Sequence, residues 1–337
     1  MLTTTSWVDV TARVRGLASR LLGRQSLERL AMSPDLATLA KELDTTAYHM
    51  AEGLDARTPV ALERQTRRAA AERLAVIATW SGDRAEALAP LFEDEDRRNL
   101  RALVRGIAGN VAVEKRTAGL LPTPSLANAA LEALAKQSRI QDVGALLASW
   151  GSPYGAAILS QSVGPRIDLF ALQCAIDRTY ATRVLEIAKS LGEPITSFVR
   201  AQLDAENACT AMAASAGALE NGASAHFIEG GKLITRDEFE RLASLPPAEA
   251  RARLARLVGG TVLAPIVPEH ATATDEAMLT AQLRDLRRTV RLDPLSLGVV
   301  LDYVLRLRAE LEDLARIIWG ITLRVPRRRI SAGLVTP

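Results

Sequence analysis

The sequence predicts an all-α fold, and three observations carry that prediction. Ala, Leu and Arg dominate while aromatic residues are only 4% of the 337 positions, a composition that favours helices over pleated sheets. Apolar residues recur at intervals of three and four, as in Leu36, Leu39, Ala40 and Leu43, the period of one helix face. Strand signals are scarce: only HFIEGGKLIT (His226–Thr235) sets two apolar pairs about Gly230-Gly231, and it reads as a small hairpin or an ordered loop.

Along the chain, the opening MLTTTSWVDVTARVR carries charges where a signal peptide would need an apolar core. Ser33-Pro34, Thr58-Pro59 and Asp293-Pro294 are each expected to open a helix, an N-cap residue preceding a proline whose missing N–H costs nothing at the first helical position. RQTRRAAAER (Arg64–Arg73) reads as a solvated helix face, with a partner-facing surface as the alternative. FEDEDRRNLRALVRGIAGN (Phe92–Asn110) groups four acids ahead of its arginines, as a helix start facing the positive end of the dipole would. The uncharged run Val143–Pro165 is broken by Gly144, Gly151, Pro153, Gly155 and Gly164, so it cannot cross a bilayer as one helix. Gly192 and Pro194 close the helix that carries IDLFALQCAIDRTYATRVLEIAKSL. A last long helix is followed by the basic cluster RVPRRRI (Arg324–Ile330).

Hydrophobic residues make up 48% of the chain, enough for a substantial core, and 42 basic residues nearly balance 39 acidic ones. That balance and the few aromatics argue against nucleic-acid binding. Cys174 and Cys209 lack a CxxC partner and read as buried, reduced thiols.

The chain repeats itself. Asp96, Asn99 and Leu100 precede Leu103, Val104 and Ile107; Asp204, Asn207 and Ala208 precede Ala211, Met212 and Ser215; Glu310, Asp313 and Leu314 precede Ile317, Ile318 and Ile321. The second copy begins 108 residues after the first and the third 106 after the second. A second element keeps the register: DLATLAKELDTTAY (Asp35–Tyr48) resembles DVGALLASWGSPY (Asp142–Tyr154) with one residue deleted, and Ala250–Val262 is a weaker third counterpart. Two elements in consistent order point to a triplication. In each copy the apolar positions form a stripe that must bury against a neighbouring helix. The acid lies on the face of the Asn three residues on, so its carboxylate is expected to accept from that amide. Asp313 cannot donate when ionised, so this pairing fails in the third copy. These are packing and capping roles.

Sharper chemistry has little support. EGGKLIT is not a phosphate loop, since His226 stands five residues before Gly231 and Leu233 follows Lys232 where a magnesium-binding hydroxyl is needed. His49, His226 and His270 lack metal-ligand spacing, and Glu93–Asp96 lacks the alternating ligands and central Gly of a calcium loop. No catalytic, cofactor-binding or metal-binding residue is expected.

The serial order of WVDVTARVRGLASRLL, SPDLATLAKELDTTAY, EDEDRRNLRALVRGI, CAIDRTYATRVLEIAK, LDAENACTAM, HFIEGGKLITRDEF and DPLSLGVVLDYVLRLRAELEDLARIIWGITLRVP resembles the central-stalk C subunit of V-type and A-type rotary ATPases, the d subunit in eukaryotes. The resemblance covers nearly the whole chain and departs from the family in the third repeat, where an amide near Asp313 and a Tyr near Val262 would be expected. It implies three related helical lobes in a pseudo-threefold, funnel-shaped arrangement, here 1–120, 121–222 and 223–337. It also implies a non-catalytic rotor component, cytoplasmic and peripheral to the membrane, that joins the shaft of the ATPase head to the membrane proteolipid ring without binding nucleotide. Asp96, Asn99, Leu100, Asp204, Asn207, Glu310, Asp313 and Leu314 would then set lobe packing. Arg324, Arg327, Arg328 and Arg329 would either cap the last helix or touch a partner or the membrane. The alternative, a helical-repeat scaffold that binds a partner helix, would normally show a much shorter period.

Overall fold

In the computed structural model the described residues are 6–50, 55, 58–164, 167–219, 222–267 and 274–337; Pro165 and His270 lie outside them. Among the described residues the regular structure is entirely helical, as the composition and periodicity predict. The chain divides into two compact units, one made of 1–137 with 287–337 and the other of 138–286.

The first unit holds α1 (Val8–Ala18), α2 (Arg24–Ala31), α3 (Leu36–Asp44), α4 (Pro59–Ser81), a 3₁₀ segment (Gly82–Leu88), α5 (Ala89–Ala108), α6 (Val113–Ala118) and α7 (Asn128–Ala135). The helices of the second unit, ending with most of α14 (Thr274–Leu292), follow; α15 (Gly298–Thr322) and α16 (Arg327–Ala332) return to the first. α15 is its axis. Seventeen of its 25 residues are buried on all sides, and α1, α2, α3, α4 and α16 pack around it, the environment that a helix apolar round its circumference requires.

Two of the three proline-marked starts fall elsewhere. Thr58-Pro59 opens α4 as expected. α3 instead begins at Leu36, with Asp35 accepting from the Thr38 N–H at 2.8 Å, because a carboxylate so placed caps the helix directly. Ser33 turns its hydroxyl to Glu42 Oε2 at 2.9 Å. Asp293-Pro294 lies in the turn before α15, which starts only at Gly298.

The acids of α5 also differ from expectation. None lies in its first turn, and Glu93 to Asp96 are all buried, so the dipole does not account for them. Asp94 instead accepts from Arg97 Nε at 2.8 Å and from Arg308 Nη2 of α15 at 2.6 Å, and Arg308 also bridges Glu95. Burial works to raise the Asp94 carboxyl, but the guanidiniums of Arg98, Arg97 and Arg308 hold it well below its usual range. Glu63 of α4, also buried, accepts from Trp319 Nε1 at 2.7 Å. Of the Arg64–Arg73 face, Arg64 and Arg68 are exposed, whereas Arg67 and Arg73 turn inward to Glu63 and Glu310.

The second unit comprises α8 (Ile140–Ser149), α9 (Pro153–Gln161), α10 (Leu169–Leu191), α11 (Ile195–Ser215), α12 (Arg236–Ser244), α13 (Pro247–Val258) and the greater part of α14. The stripe of α11 carries Ala208 and Ala211, both fully buried among Phe227, Phe239, Leu242 and Leu254. Small side chains there let α12 and α13 pack against α11. α10 stops at Leu191 ahead of Gly192, which has φ +71. HFIEGGKLIT is an ordered loop that follows a short 3₁₀ turn (Ala223–His226), rather than a hairpin. Cys174 is buried as expected, whereas Cys209 is exposed.

Candidate functional site

The repeated acid and amide positions lie in mid-helix, and each holds a stretch of chain distant in sequence. Asn99 of α5 donates through Nδ2 to the Leu121 carbonyl at 2.7 Å and accepts at Oδ1 from the Leu121 N–H at 3.0 Å. Asn207 of α11 does the same to Ile228, at 2.7 and 2.9 Å. Asp313 of α15 accepts from the N–H groups of Val335 and Thr336 at 2.6 and 2.8 Å. The clamped residue stands 22, 21 and 22 positions after the side chain. An amide faces one carbonyl and one N–H; the carboxylate of the third copy faces two N–H groups. The substitution of Asp for Asn is therefore matched by what it holds.

The acid three residues earlier does not accept from the amide; it has stronger partners of its own. Asp96 accepts from the hydroxyls of Thr123 and Ser125, both at 2.5 Å, in the loop before α7. Asp204 accepts from the N–H groups of Lys232 and Leu233 at 2.9 Å and of Ile234 at 2.8 Å, just before α12. The Gly-rich turn thus forms an anion-binding nest filled by a side chain of the same chain. Gly231 is required there, since a Cβ would overlap the Asp204 carboxylate. Glu310 follows the same rule across the ends of the chain: it accepts from the Leu22 N–H at 2.5 Å, two residues before α2. Tyr48 donates its hydroxyl to the same carboxylate, and Arg73 lies 3.5 Å away with its guanidinium 4.3 Å over the Tyr48 ring. Burial pushes Glu310 up to about 7, against the Tyr48 hydroxyl, the Arg73 charge and the Leu22 N–H, which pull it down. Burial likewise raises Asp96 to about 7 against its two hydroxyl donors. Leu100 and Leu314 are buried in the apolar stripes.

Tyr48, Arg73, Thr123, Ser125 and the backbone of Leu22 were not foreseen as members of these clamps. No local signal in the sequence marks them, since each stands more than 20 residues from the acid it meets.

Beside the Glu310 cluster opens a cleft of about 910 Å³ in the first unit, lined by α1, the stretch that follows α3, and α4. Arg13, Arg20, Arg73 and His49 face it with Glu72 as its sole acid among the described residues, and Leu17, Ala69, Val76 and Trp80 supply an apolar floor. Arg13 lies 5.7 Å over the Trp80 ring. Arg324, Arg328 and Arg329 are exposed at the far end of α15 and on α16, and Arg327 donates to the Pro34 carbonyl at 3.0 Å. Arg327, Arg328 and Arg329 open a short helix of their own, while Arg324 stands in the turn that ends α15.

Among the described residues no group of three or more His, Cys, Asp or Glu is arranged to hold a metal ion, and no helix is long and apolar enough to cross a membrane. The repeated carboxylates are engaged by backbone and hydroxyl donors, and buried Asp94 and Glu63 by arginine and indole donors. A helical body braced in this way, with an open cationic cleft in its first unit, belongs to the all-α class. A family model described as ATP synthase (C/AC39) subunit matches residues 10–333. Curated relatives include the C subunit of the A-type ATP synthase of Haloquadratum walsbyi, 24% identical over 92% of this chain and 93% of the relative. That of Thermococcus gammatolerans is 25% identical over 90% and 82%, and that of Halorubrum lacusprofundi 26% identical over 97% and 96%. The chain belongs to the ATP synthase (C/AC39) subunit family, a family of non-catalytic structural subunits.

Proposed function

We propose that the protein is the coupling piece of a rotary ATPase, bound to the shaft of the ATPase head at one end and to the membrane proteolipid ring at the other. It turns with both and passes torque between ATP chemistry and proton or sodium transport. In this reading the chain forms three related lobes, 1–120, 121–222 and 223–337, and works at the cytoplasmic face of the membrane. The observation that carries the reading is the threefold clamp at a 21–22-residue interval. Its acid member closes in the third copy on Leu22 near the start of the chain, as a cyclic arrangement of three lobes demands. Buried clamps and close-packed helices resist deformation, which torque transfer needs. The scaffold alternative has no observation of its own in its favour.

The cationic cleft is the proposed seat of the shaft, its arginines meeting acidic side chains and its floor meeting an apolar helix face. Arg13 and Arg20 are exposed and take no part in the core. The double variant Arg13→Glu, Arg20→Glu should keep the thermal midpoint yet weaken binding of the purified shaft proteins about 100-fold, read by titration calorimetry. Unchanged shaft binding would remove the cleft from the account. Failure of the wild-type chain to copurify with shaft and ring proteins from detergent extracts would remove the coupling role itself.

A further inference from the structure

The corner where α15 gives way to α16 gathers arginine without acid. α15 ends as Arg324 N–H donates to the Ile321 carbonyl at 3.2 Å and Val325 N–H to the Gly320 carbonyl at 2.8 Å. Arg324 there takes φ +55, a conformation that glycine adopts more cheaply. α16 folds back against α15 because Ile330, 2% exposed, seats over Gly320, where a Cβ would come within 2.7 Å of it. Arg327 ties the corner to the turn between α2 and α3 through the Pro34 carbonyl. The result turns Arg324, Arg328 and Arg329 to solvent, none with an ion-pair partner among the described residues. Leu323 and Met32, at 69% and 62% exposure, are the large apolar side chains of the same corner. The nearby acids are already engaged: Asp35 caps α3, Glu42 accepts from Ser33, and Asp313 holds the backbone of Val335 and Thr336.

We infer that this corner docks on an anionic bilayer surface, with phosphodiester oxygens accepting from Arg324, Arg328 and Arg329 while Leu323 and Met32 enter the interfacial layer. Guanidinium forks match phosphate oxygens in pairs, and isolated apolar residues among cations suit the headgroup boundary better than bulk water. An acidic protein loop would satisfy the arginines but leave Leu323 and Met32 in water, so lipid is the better match. The inference rests on the reading of the chain as a piece seated against a membrane complex. Its test needs no other protein.

The full chain is sedimented with vesicles of phosphatidylglycerol and phosphatidylcholine in equal parts, and with vesicles of phosphatidylcholine alone. Each arginine near an anionic surface is worth about a fivefold change in partitioning, so anionic vesicles should bind about 100-fold more tightly than neutral ones. The triple variant Arg324→Gln, Arg328→Gln, Arg329→Gln should lose that preference with an unchanged thermal midpoint. The corresponding triple Lys variant should keep most of it, which separates lost charge from lost folding. Leu323→Ser should weaken anionic binding several-fold. Equal binding to both vesicles, or full binding by the triple Gln variant, overturns the inference. So does a wild-type chain that ignores vesicles but captures detergent-solubilised proteolipid ring through the same three arginines, since the partner is then a protein. A chain that binds anionic vesicles yet fails to copurify with shaft and ring proteins would support this corner while removing the coupling role.

Discussion

Replacing Asn207 by Asp tests the clamp at its most exposed point of logic, because the third copy of the repeat already uses Asp at the matching position. Asn207 and Ile228 are both buried, at 0% and 1% exposure. Its Nδ2 donates to the Ile228 carbonyl at 2.7 Å and its Oδ1 accepts from the Ile228 N–H at 2.9 Å. The ionised carboxylate keeps the second bond and turns a lone pair toward the carbonyl where the first had been. Orphaning a buried carbonyl costs about 1–3 kcal/mol, and a buried charge without a cation adds to that. The expected loss at pH 7 is about 3–5 kcal/mol by urea unfolding followed by circular dichroism. Protonation restores a donor, so the folded carboxyl of the variant is raised above its unfolded value of about 3.9. The loss should therefore ease as pH falls from 7 toward about 4. Asp313→Asn is the reciprocal change: its amide opposes an N–H of Val335 or Thr336, and the expected cost is about 2 kcal/mol. A loss under about 1 kcal/mol for Asn207→Asp at pH 7, or one that does not ease in acid, would refute the reasoning.

Other outcomes follow from the same contacts. Asp96 and Glu310 are both raised to about 7 from ordinary values of 3.8 and 4.5. The folded state holds protons that the unfolded chain has released, so stability should fall as pH rises through that window, by up to about 1.4 kcal/mol per pH unit for each group. Asp96→Asn should flatten the curve of thermal midpoint against pH between about 5 and 7. Gly231→Ala should cost about 2 kcal/mol or more by displacing the Asp204 carboxylate from three N–H donors. In the Asp204→Ala background the same change should cost far less, and additive losses in a double-mutant cycle would count against the nest. Arg308→Ala strips Asp94 and Glu95 of a shared cation and should lower stability by about 3 kcal/mol in chemical denaturation.

Much of the fold was legible in the sequence because helix periodicity is local. The stripes at Leu100, Ala208 and Leu314, the stop at Gly192 and the start at Pro59 each depend on residues within a few turns. The errors share one physical origin. Asp96 and Asn99 do lie on one face, yet each finds a buried partner more than 20 residues away that spacing alone does not reveal. Asp35 displaced Ser33-Pro34 as the start of α3 because its carboxylate reaches the Thr38 N–H directly. The acids before Arg97 looked like a helix start only because Arg308, from the far end of the chain, was not visible as their counter-charge. Asp313, which appeared to break the pattern, keeps it once its two N–H donors are known.

The coupling role is tested most directly by reconstituting the complete ATP synthase in sealed vesicles with and without this chain, and measuring ATP hydrolysis alongside ATP-driven ion uptake. Removal should leave the head hydrolysing ATP while uptake stops, and adding back the purified chain should restore it. Ion uptake that continues at the full rate without the chain would contradict the account.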